Sequence, residues 1–263
     1  MLLEAYYNIN YLKINADKSK LLITCKPRYR TIIKDIKHTA STYIIDQSQK
    51  IKILGIFFNS GLDNTPNVTN IIKKVNYRMI VLNNIIKFTN IKTSLILYNS
   101  LVITVFNYCL SNIININVKQ ISNLNTLLMK CAHKILGFKS YRMNTINILK
   151  ELNWLSMSQM ITFSAIKLVH KITYESVPPA LTQFFFYNME RSDVARLVRK
   201  PSPRYRYKSA KCKNSFIHRA TYIYNQIPHE LRTINIKKFA IEVKSYLFYN
   251  TDLKKIPKID DNP

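Results

Sequence analysis

Apolar residues recur every three or four positions through most of the chain after Thr65, a spacing that predicts amphipathic helices. Thr65-Pro66 is a typical helix start, because threonine can cap the first turn and proline suits its first position. Further helices are predicted over 120–136, 145–152, 156–174, 214–226 and 236–249. Local signals mark their ends: Gly137 as a C-cap, Ser156 with Gln159 as a capping box, and Pro178-Pro179 as a stop.

The first 60 residues carry a different pattern, in which short apolar runs are separated by turn-forming residues. A turn at 15–17 precedes the apolar run 21–25, and further strands are predicted over 42–46 and 50–58. Gly55 lies inside the last run, where a glycine marks a bulge or a close backbone approach. We therefore predict a mainly α (α+β) fold, with a small N-terminal antiparallel β-meander followed by a helical thumb-like bundle.

The stretch from Thr93 to Val118 contains no charged residue and is long enough to span a bilayer. Asparagines interrupt it, and one helical stripe is polar: Ser100, Thr104, Asn107 and Ser111. Such a stripe favours a helix packed against other helices over one that faces lipid. We expect no membrane association of this segment.

The charge balance is strongly positive, with 40 Lys and Arg against 14 Asp and Glu and a formal net charge of +26. Such a balance predicts a polyanionic partner, RNA and/or DNA. The chain is also rich in residues with AT-rich codons, so compositional drift is the alternative. Drift can raise the number of lysines, but it does not deplete glutamate, so it does not by itself explain the low count of acidic residues.

Residues 191–219 concentrate this charge, with ten Lys or Arg and one acid, Asp193. Pro201 and Pro203 exclude a continuous helix across the segment. Basic and aromatic side chains alternate within it, an arrangement that suits phosphates and stacked bases. The candidate nucleic-acid-binding residues are Arg199, Lys200, Arg204, Tyr205, Arg206, Tyr207 and Lys208. A disordered basic linker is the alternative interpretation, and a membrane-surface patch lacks an amphipathic helix to support it.

The cysteines Cys25, Cys109, Cys131 and Cys212 are too widely spaced for a zinc motif. Met1 is followed by Leu2, Leu3 and Glu4, without the basic residues that open a signal peptide. These features favour a reducing compartment, and we expect an intracellular protein, nuclear or cytoplasmic, that is not secreted.

Five stretches carry a resemblance to a known family. They are Leu12-x-x-Asn15-x-x-Lys18-Ser19-Lys20, the strand with Leu54-Gly55, LNWLSMSQM at 152–160, ESVPPAL at 175–181 and SFIHRATYIYNQIPHELR at 215–232. In order and spacing they resemble the end of the palm and the thumb of non-LTR (LINE-type) retrotransposon reverse transcriptases, which are RNA-directed DNA polymerases. The resemblance covers nearly the whole chain.

The resemblance implies roles for individual residues. Lys18 matches a motif D lysine that is proposed to act as general acid to the leaving pyrophosphate. The alternative is that Lys18 is an ordinary turn residue without a catalytic role. Leu54, Gly55 and Ile56 match the primer grip. The resemblance also implies three parts: a palm remnant at 1–60, a helical thumb-like domain at 61–190 and a basic C-terminal module at 191–263.

Catalysis in this family depends on an Asp-Asp loop that holds two Mg²⁺ ions and lies before motif D. The one adjacent acidic pair in this sequence is Asp260-Asp261, which follows a proline-containing stretch far from the motif D-like segment. We therefore expect no catalytic carboxylates and no cofactor bound by this chain, with Mg²⁺ required only by an intact polymerase. An upstream polymerase segment is then an expected partner, and the chain alone is expected to be inactive.

Two other functions remain open from the sequence alone. One is a stand-alone basic nucleic-acid-binding or packaging protein that reuses the thumb. The other is a decayed retroelement reading frame without function. Tight binding by a stable isolated chain favours the first, and poor solubility with an exposed β edge favours the second.

Overall fold

The computed structural model describes residues 6, 9–11, 15, 18–24, 38–40, 43–108, 110–114, 116–174, 177–178, 181, 185–188, 196–199 and 216–249. The chain divides into two compact units, Met1–Thr69 and Asn70–Pro263. Strands and turns dominate what is described of the first unit, and helices dominate the second. The predicted mainly helical class, with a small antiparallel sheet near the N-terminus, is confirmed.

The described residues of the first unit form two small sheets. Their strands are β1 Lys20–Leu21, β2 His38–Ala40, β3 Tyr43–Gln47, β4 Lys50–Ile53 and β5 Ile56–Asn59. β2 and β3 pair antiparallel, as do β4 and β5, but β1 pairs parallel with β3 in the register Lys20 to Asp46. The order β1-β3-β2 therefore replaces the simple meander that we predicted.

The predicted single strand over 50–58 is wrong, because the segment folds back on itself as the β4–β5 hairpin. Its two-residue turn is formed by Leu54 and Gly55, with φ of 47° and 84°. Two consecutive positive φ values match the twist of the flanking strands, and glycine adopts them without steric cost. Gly55 is thus a turn residue and not a bulge within a strand.

Helices make up most of the second unit, and the first of them begins within the first unit, at Thr65. Their bounds are α1 Thr65–Ile86, α2 Ile91–Tyr98, α3 Thr104–Asn107, α4 Val118–Leu136, α5 Thr145–Glu151, α6 Met157–Tyr174, α7 Phe216–Asn225, α8 His229–Arg232 and α9 Ile236–Tyr249. Short 3₁₀ turns cover Leu110–Ile113 and Gly137–Arg142, and a further hairpin pairs β6 Phe185–Asn188 with β7 Arg196–Arg199.

The predicted helix ends agree with the structure where a local capping signal was present. The Ser156 backbone N–H donates to Gln159 Oε1 at 3.0 Å, as a capping box requires. Asn117 and Gln120 form a second capping box at the start of α4. Gly137 ends that helix with a φ of 56°, in the left-handed region that favours glycine.

The uncharged stretch after Thr93 is not one helix. α2 is followed by a π-helix at Asn99–Ile103, then by α3 and a 3₁₀ turn. The Arg78 guanidinium of α1 donates to the Leu101 carbonyl within the π-helix. No helix in the described parts of the chain is long and apolar enough to cross a membrane.

The predicted polar stripe of this stretch exists, but it is not packed between helices. Ser100, Thr104 and Asn107 are exposed, whereas Tyr98, Val102, Val105 and Phe106 on the opposite side are buried. The apolar side is therefore the face that enters the core, and the polar side borders a groove described below.

α6 lies at the centre of the second unit. It packs against α4, α7, α9 and the 3₁₀ turn Leu110–Ile113. Residues around most of its circumference are buried, among them Met157, Ile161, Ala165, Ile166, Val169 and Ile172. A helix buried on several sides is expected at the middle of a domain of this size.

His170 of α6 ties three helices together in the core. Its Nε2–H donates to the Ile234 carbonyl at 3.0 Å, which leaves Nδ1 to accept from the Tyr224 hydroxyl at 2.9 Å. The imidazole stacks on Phe239 with ring centroids 3.5 Å apart and planes 4° apart. Burial lowers the pKa of His170 below its usual value, and the hydrogen bond to Ile234 only partly opposes this shift. The neutral ring is therefore the form that the core accommodates.

We predict that acid destabilises the fold through His170. Because its pKa is lower in the folded chain, the unfolded chain binds more protons once the pH falls below about 6.5. The stabilisation is complete above that pH and is lost as the pH falls further. Urea denaturation at a series of pH values should show a smaller acid loss in His170→Gln than in the wild type. The exposed His229→Gln serves as control, and an equal loss in all three proteins would contradict the prediction.

Candidate nucleic-acid interface

The tip of the β4–β5 hairpin presents apolar side chains to solvent. Leu54 is 86% exposed and Ile53 is 51% exposed, while Ile56 and Gly55 are partly buried. Along β4, the Lys50 and Lys52 ammonium groups lie 4.0 and 5.6 Å from the centre of the Phe57 ring; Lys52 pairs with Phe57, and Lys50 lies at the end of the strand away from the tip. These distances are typical of cation–π contacts. The hairpin thus combines an exposed apolar tip with two positive charges along β4.

Asn67 fixes the hairpin to the start of α1. The Phe57 backbone N–H donates to Asn67 Oδ1 at 2.8 Å, and Asn67 Nδ2–H donates to the Phe57 carbonyl at 2.9 Å. The asparagine amide therefore pairs with β5 as a neighbouring strand would. Asn67 is 8% exposed, so water cannot easily replace these two bonds.

We predict that Asn67→Ala destabilises the first unit by about 1–3 kcal/mol, because it leaves two backbone groups of Phe57 without partners. Hydrogen exchange of the β4–β5 amides should accelerate in this variant. Asn84→Ala, at an exposed position on the same helix, is the control and should leave exchange unchanged. Unchanged exchange in Asn67→Ala as well would contradict the role given to this side chain.

Lys18 lies on the turn that leads into β1, and its side chain is exposed. Its backbone N–H donates to Asn15 Oδ1 at 3.1 Å, and the Ser19 hydroxyl donates to the Asn15 carbonyl at 2.8 Å. Asn15 therefore shapes this turn, in agreement with the sequence prediction. Lys18 precedes the three-stranded sheet, whereas Leu54 and Gly55 form the turn between the strands of the separate two-stranded sheet.

Most of the predicted basic nucleic-acid-binding residues lie outside the described residues: Lys200, Arg204, Tyr205, Arg206, Tyr207 and Lys208. Arg199 is described as the last residue of β7, paired with Phe185 of β6. This hairpin was missed in the sequence, where the adjacent apolar residues Leu197 and Val198 give only a short and weak strand signal.

A second candidate interface was also missed in the sequence. Two adjoining clefts of about 420 and 380 Å³ lie alongside α6, and Asn107, Met160 and Phe163 line both of them. We call the two clefts together the α6 groove. One side comes from the π-helix, α3 and the 3₁₀ turn after it, and the other side comes from α6 itself.

The larger cleft of the α6 groove is lined by amide groups above apolar side chains. Asn99 and Asn107 line it from one side, and Phe163, which is half-buried, lines it from α6. The Trp154 indole N–H donates to Asn99 Oδ1 at 2.7 Å. Because Trp154 is only 4% exposed, it is a core residue. Phe163 is thus the aromatic ring that a ligand in the groove can reach.

Lysines stand at both ends of the α6 groove. Lys167 and Lys171 line the smaller cleft and are exposed. Lys244 lines the larger cleft, and its Nζ donates to the Asn153 carbonyl at 3.0 Å. Partial burial lowers the pKa of Lys244. No acidic side chain is among the residues that line either cleft, so the groove favours an anionic ligand.

The described residues do not form a metal site. Nowhere among them do three His, Cys, Asp or Glu side chains come together as a metal ion requires. The acids in these parts of the chain, Asp46, Asp63, Glu151, Glu230 and Glu242, are far apart in sequence.

No protein-family model, curated protein or solved structure matches this chain. The function is therefore inferred from the chemistry of its residues and from the motif resemblance given above.

Proposed function

We propose that this chain binds RNA or DNA, and that it serves as the template-primer-gripping part of a LINE-type reverse transcriptase. The observation that carries the proposal is the charge: 40 Lys and Arg against 14 Asp and Glu. The α6 groove adds support, because lysines flank it and no acidic side chain lines it.

The physical basis is the release of counterions from the nucleic-acid backbone. Each phosphate neutralised by a lysine or arginine frees condensed cations, and this gain is independent of sequence. Amide and aromatic groups beside such cations add contacts to the bases. The exposed hairpin tip around Leu54, with Lys50 and Lys52 along the same hairpin, offers a further contact of the primer-grip kind.

In this proposal the chain contributes binding and not the chemical step. Nucleotidyl transfer needs metal ions held by preorganised carboxylates, and the acids of this sequence are scattered except for Asp260-Asp261. The carboxylates would come from a polymerase segment that precedes motif D. Lys18, if it acts as the motif D lysine, would then protonate pyrophosphate only in that larger assembly.

The test is binding of the purified full chain to an RNA template annealed to a DNA primer, followed by fluorescence anisotropy. We expect a complex to form. Excess unlabelled primer–template should displace the labelled primer–template from it more effectively than heparin does at equal charge. Equal displacement by heparin would point to a general polyanion binder. Absence of a complex at low salt would contradict the proposal. Template-dependent primer extension by the chain alone, lost on chelation, would contradict the proposal that the chain contributes binding and not the chemical step.

A further inference from the structure

We propose that the α6 groove is a binding site for single-stranded RNA or DNA, with consecutive nucleotides along α6 and one base inserted against Phe163. This inference rests on the proposed function and adds a location and a preferred form of nucleic acid. The cleft near Asn99 and Trp154 receives the base, and the lysines at the two ends receive phosphates.

The length of the α6 groove favours an oligonucleotide over a single nucleotide. Met160 and Lys171 both line it, and eleven helical steps of about 1.5 Å separate them by roughly 16 Å. A stacked strand advances about 3.4 Å per nucleotide. The smaller cleft and the larger one together therefore extend over several nucleotides.

The lining of the larger cleft suits a nucleobase. Asparagine amides both donate and accept hydrogen bonds, as base edges do, and asparagine pairs with adenine in this way in known interfaces. Asn99 and Asn107 are exposed and line the cleft. Phe163 supplies a face for stacking, which every base can use. The volume of about 420 Å³ lies within the usual range for small-ligand sites.

A single strand fits this site better than a duplex. The bases of a duplex are paired and stacked inside, so its backbone could approach the lysines while no base could enter the cleft. Inserting a base from a duplex would require its extrusion, which costs a few kcal/mol. A single strand already has unpaired bases and avoids that cost.

The walls of the α6 groove are fixed before any ligand binds. The Arg78 guanidinium holds the π-helix at the Leu101 carbonyl, and Trp154 holds the Asn99 side chain. On the other side, His170 anchors α6 to α7, to α9 and to the residues before α9. A preformed site loses little conformational entropy on binding.

The test measures the affinity of the chain for a fluorescent oligo(dA) and for the same strand annealed to oligo(dT). The strand is about twelve nucleotides long, within the site sizes of known single-strand binders. Lys167→Glu with Lys171→Glu reverses the charge at one end of the groove. Lys119→Glu with Lys130→Glu, on exposed positions of α4 that do not line it, makes the same change in net charge. We expect the groove variant to bind the single strand at least tenfold more weakly than the α4 variant.

Asn107→Leu keeps the branched heavy-atom skeleton of the side chain and removes its amide. Loss of one good base contact should lower single-strand affinity roughly fivefold or more, while duplex affinity stays the same. Ultraviolet cross-linking of a 5-iodouracil-containing strand to the wild type should label Phe163 or its neighbours in α6. Circular dichroism should show equal helix content in all variants.

The possible negative results lead to different conclusions. If the wild type binds neither single strand nor duplex, the proposed function is wrong. If it binds both but the groove and α4 variants weaken equally, and Asn107→Leu changes nothing, nucleic-acid binding stands and the α6 groove is not its single-strand site. Cross-links found only outside the groove would overturn the inference in the same way. Displacement of the strand by free AMP at matched nucleotide concentration would show that a mononucleotide suffices.

Discussion

Replacing Arg204, Arg206 and Lys208 with alanine will weaken the binding of this chain to RNA and DNA of every sequence. These residues lie in the segment 191–219, where ten Lys or Arg stand against one acid. Each lost phosphate contact should make the log–log dependence of affinity on salt less steep by about 0.9 for duplex and 0.7 for single strands. Three lost contacts should therefore flatten the slope by about two to three units, as anisotropy titrations at several salt concentrations will show.

A charge-matched control separates local contact from overall charge. Lys119, Lys130 and Lys134 are exposed on α4, and replacing them with alanine removes the same three charges. This control should keep a slope within about one unit of the wild type. If both triple variants bind alike, the segment 191–219 acts only through net charge. If the first triple variant binds as tightly as the wild type, the segment is only a linker.

Trp154→Ala will destabilise the second unit by about 3–5 kcal/mol, the usual cost of truncating a large buried aromatic side chain. Trp154 is 4% exposed, and its indole N–H holds Asn99 at the edge of the larger cleft. The variant therefore loses core packing, leaves a cavity and frees one side of the α6 groove. Urea denaturation followed by circular dichroism measures the loss.

Trp154→Phe is the matched control for this prediction. It retains an aromatic side chain but removes the donor to Asn99, and water can replace that donor because Asn99 is exposed. We expect a cost of about 1 kcal/mol from the lost hydrogen bond, plus a small cavity term. A loss below about 1 kcal/mol in Trp154→Ala would contradict the assignment of Trp154 to the core.

The sequence predicted those parts of the fold that depend on neighbouring residues. The start of α1 at Thr65, the capping box of Ser156 with Gln159 and the end of α4 at Gly137 all follow from local hydrogen bonding or backbone preference. Such signals act within one turn of helix, so a single sequence contains all the information they require.

Pairings between distant residues were not predictable in this way. β1 pairs with β3 over more than twenty intervening residues, and a parallel pairing leaves no tight-turn signal. At 50–59, Gly55 was compatible with a bulge in one strand or with a hairpin turn. Only the formation of the β4–β5 pair decides between them.

The α6 groove was hidden for a similar reason. The polar stripe containing Asn107 was visible in the sequence, but its partner wall on α6 lies more than fifty residues later. The spacing of apolar residues in the sequence gives no sign of the π-helix at Asn99–Ile103. The basic character of the chain was predictable from the sequence. That lysines line the same groove as Phe163 is seen only in the fold.

The salt dependence of wild-type binding to an RNA–DNA primer–template tests the central claim most directly. A chain with a formal net charge of +26 that neutralises six or more phosphates should lose affinity by at least about a thousandfold between about 50 and 200 mM salt. Detectable binding at the lower salt together with that steep decline is the predicted result. No binding at about 50 mM salt, or an affinity that does not change with salt, would contradict a nucleic-acid-binding function for this chain.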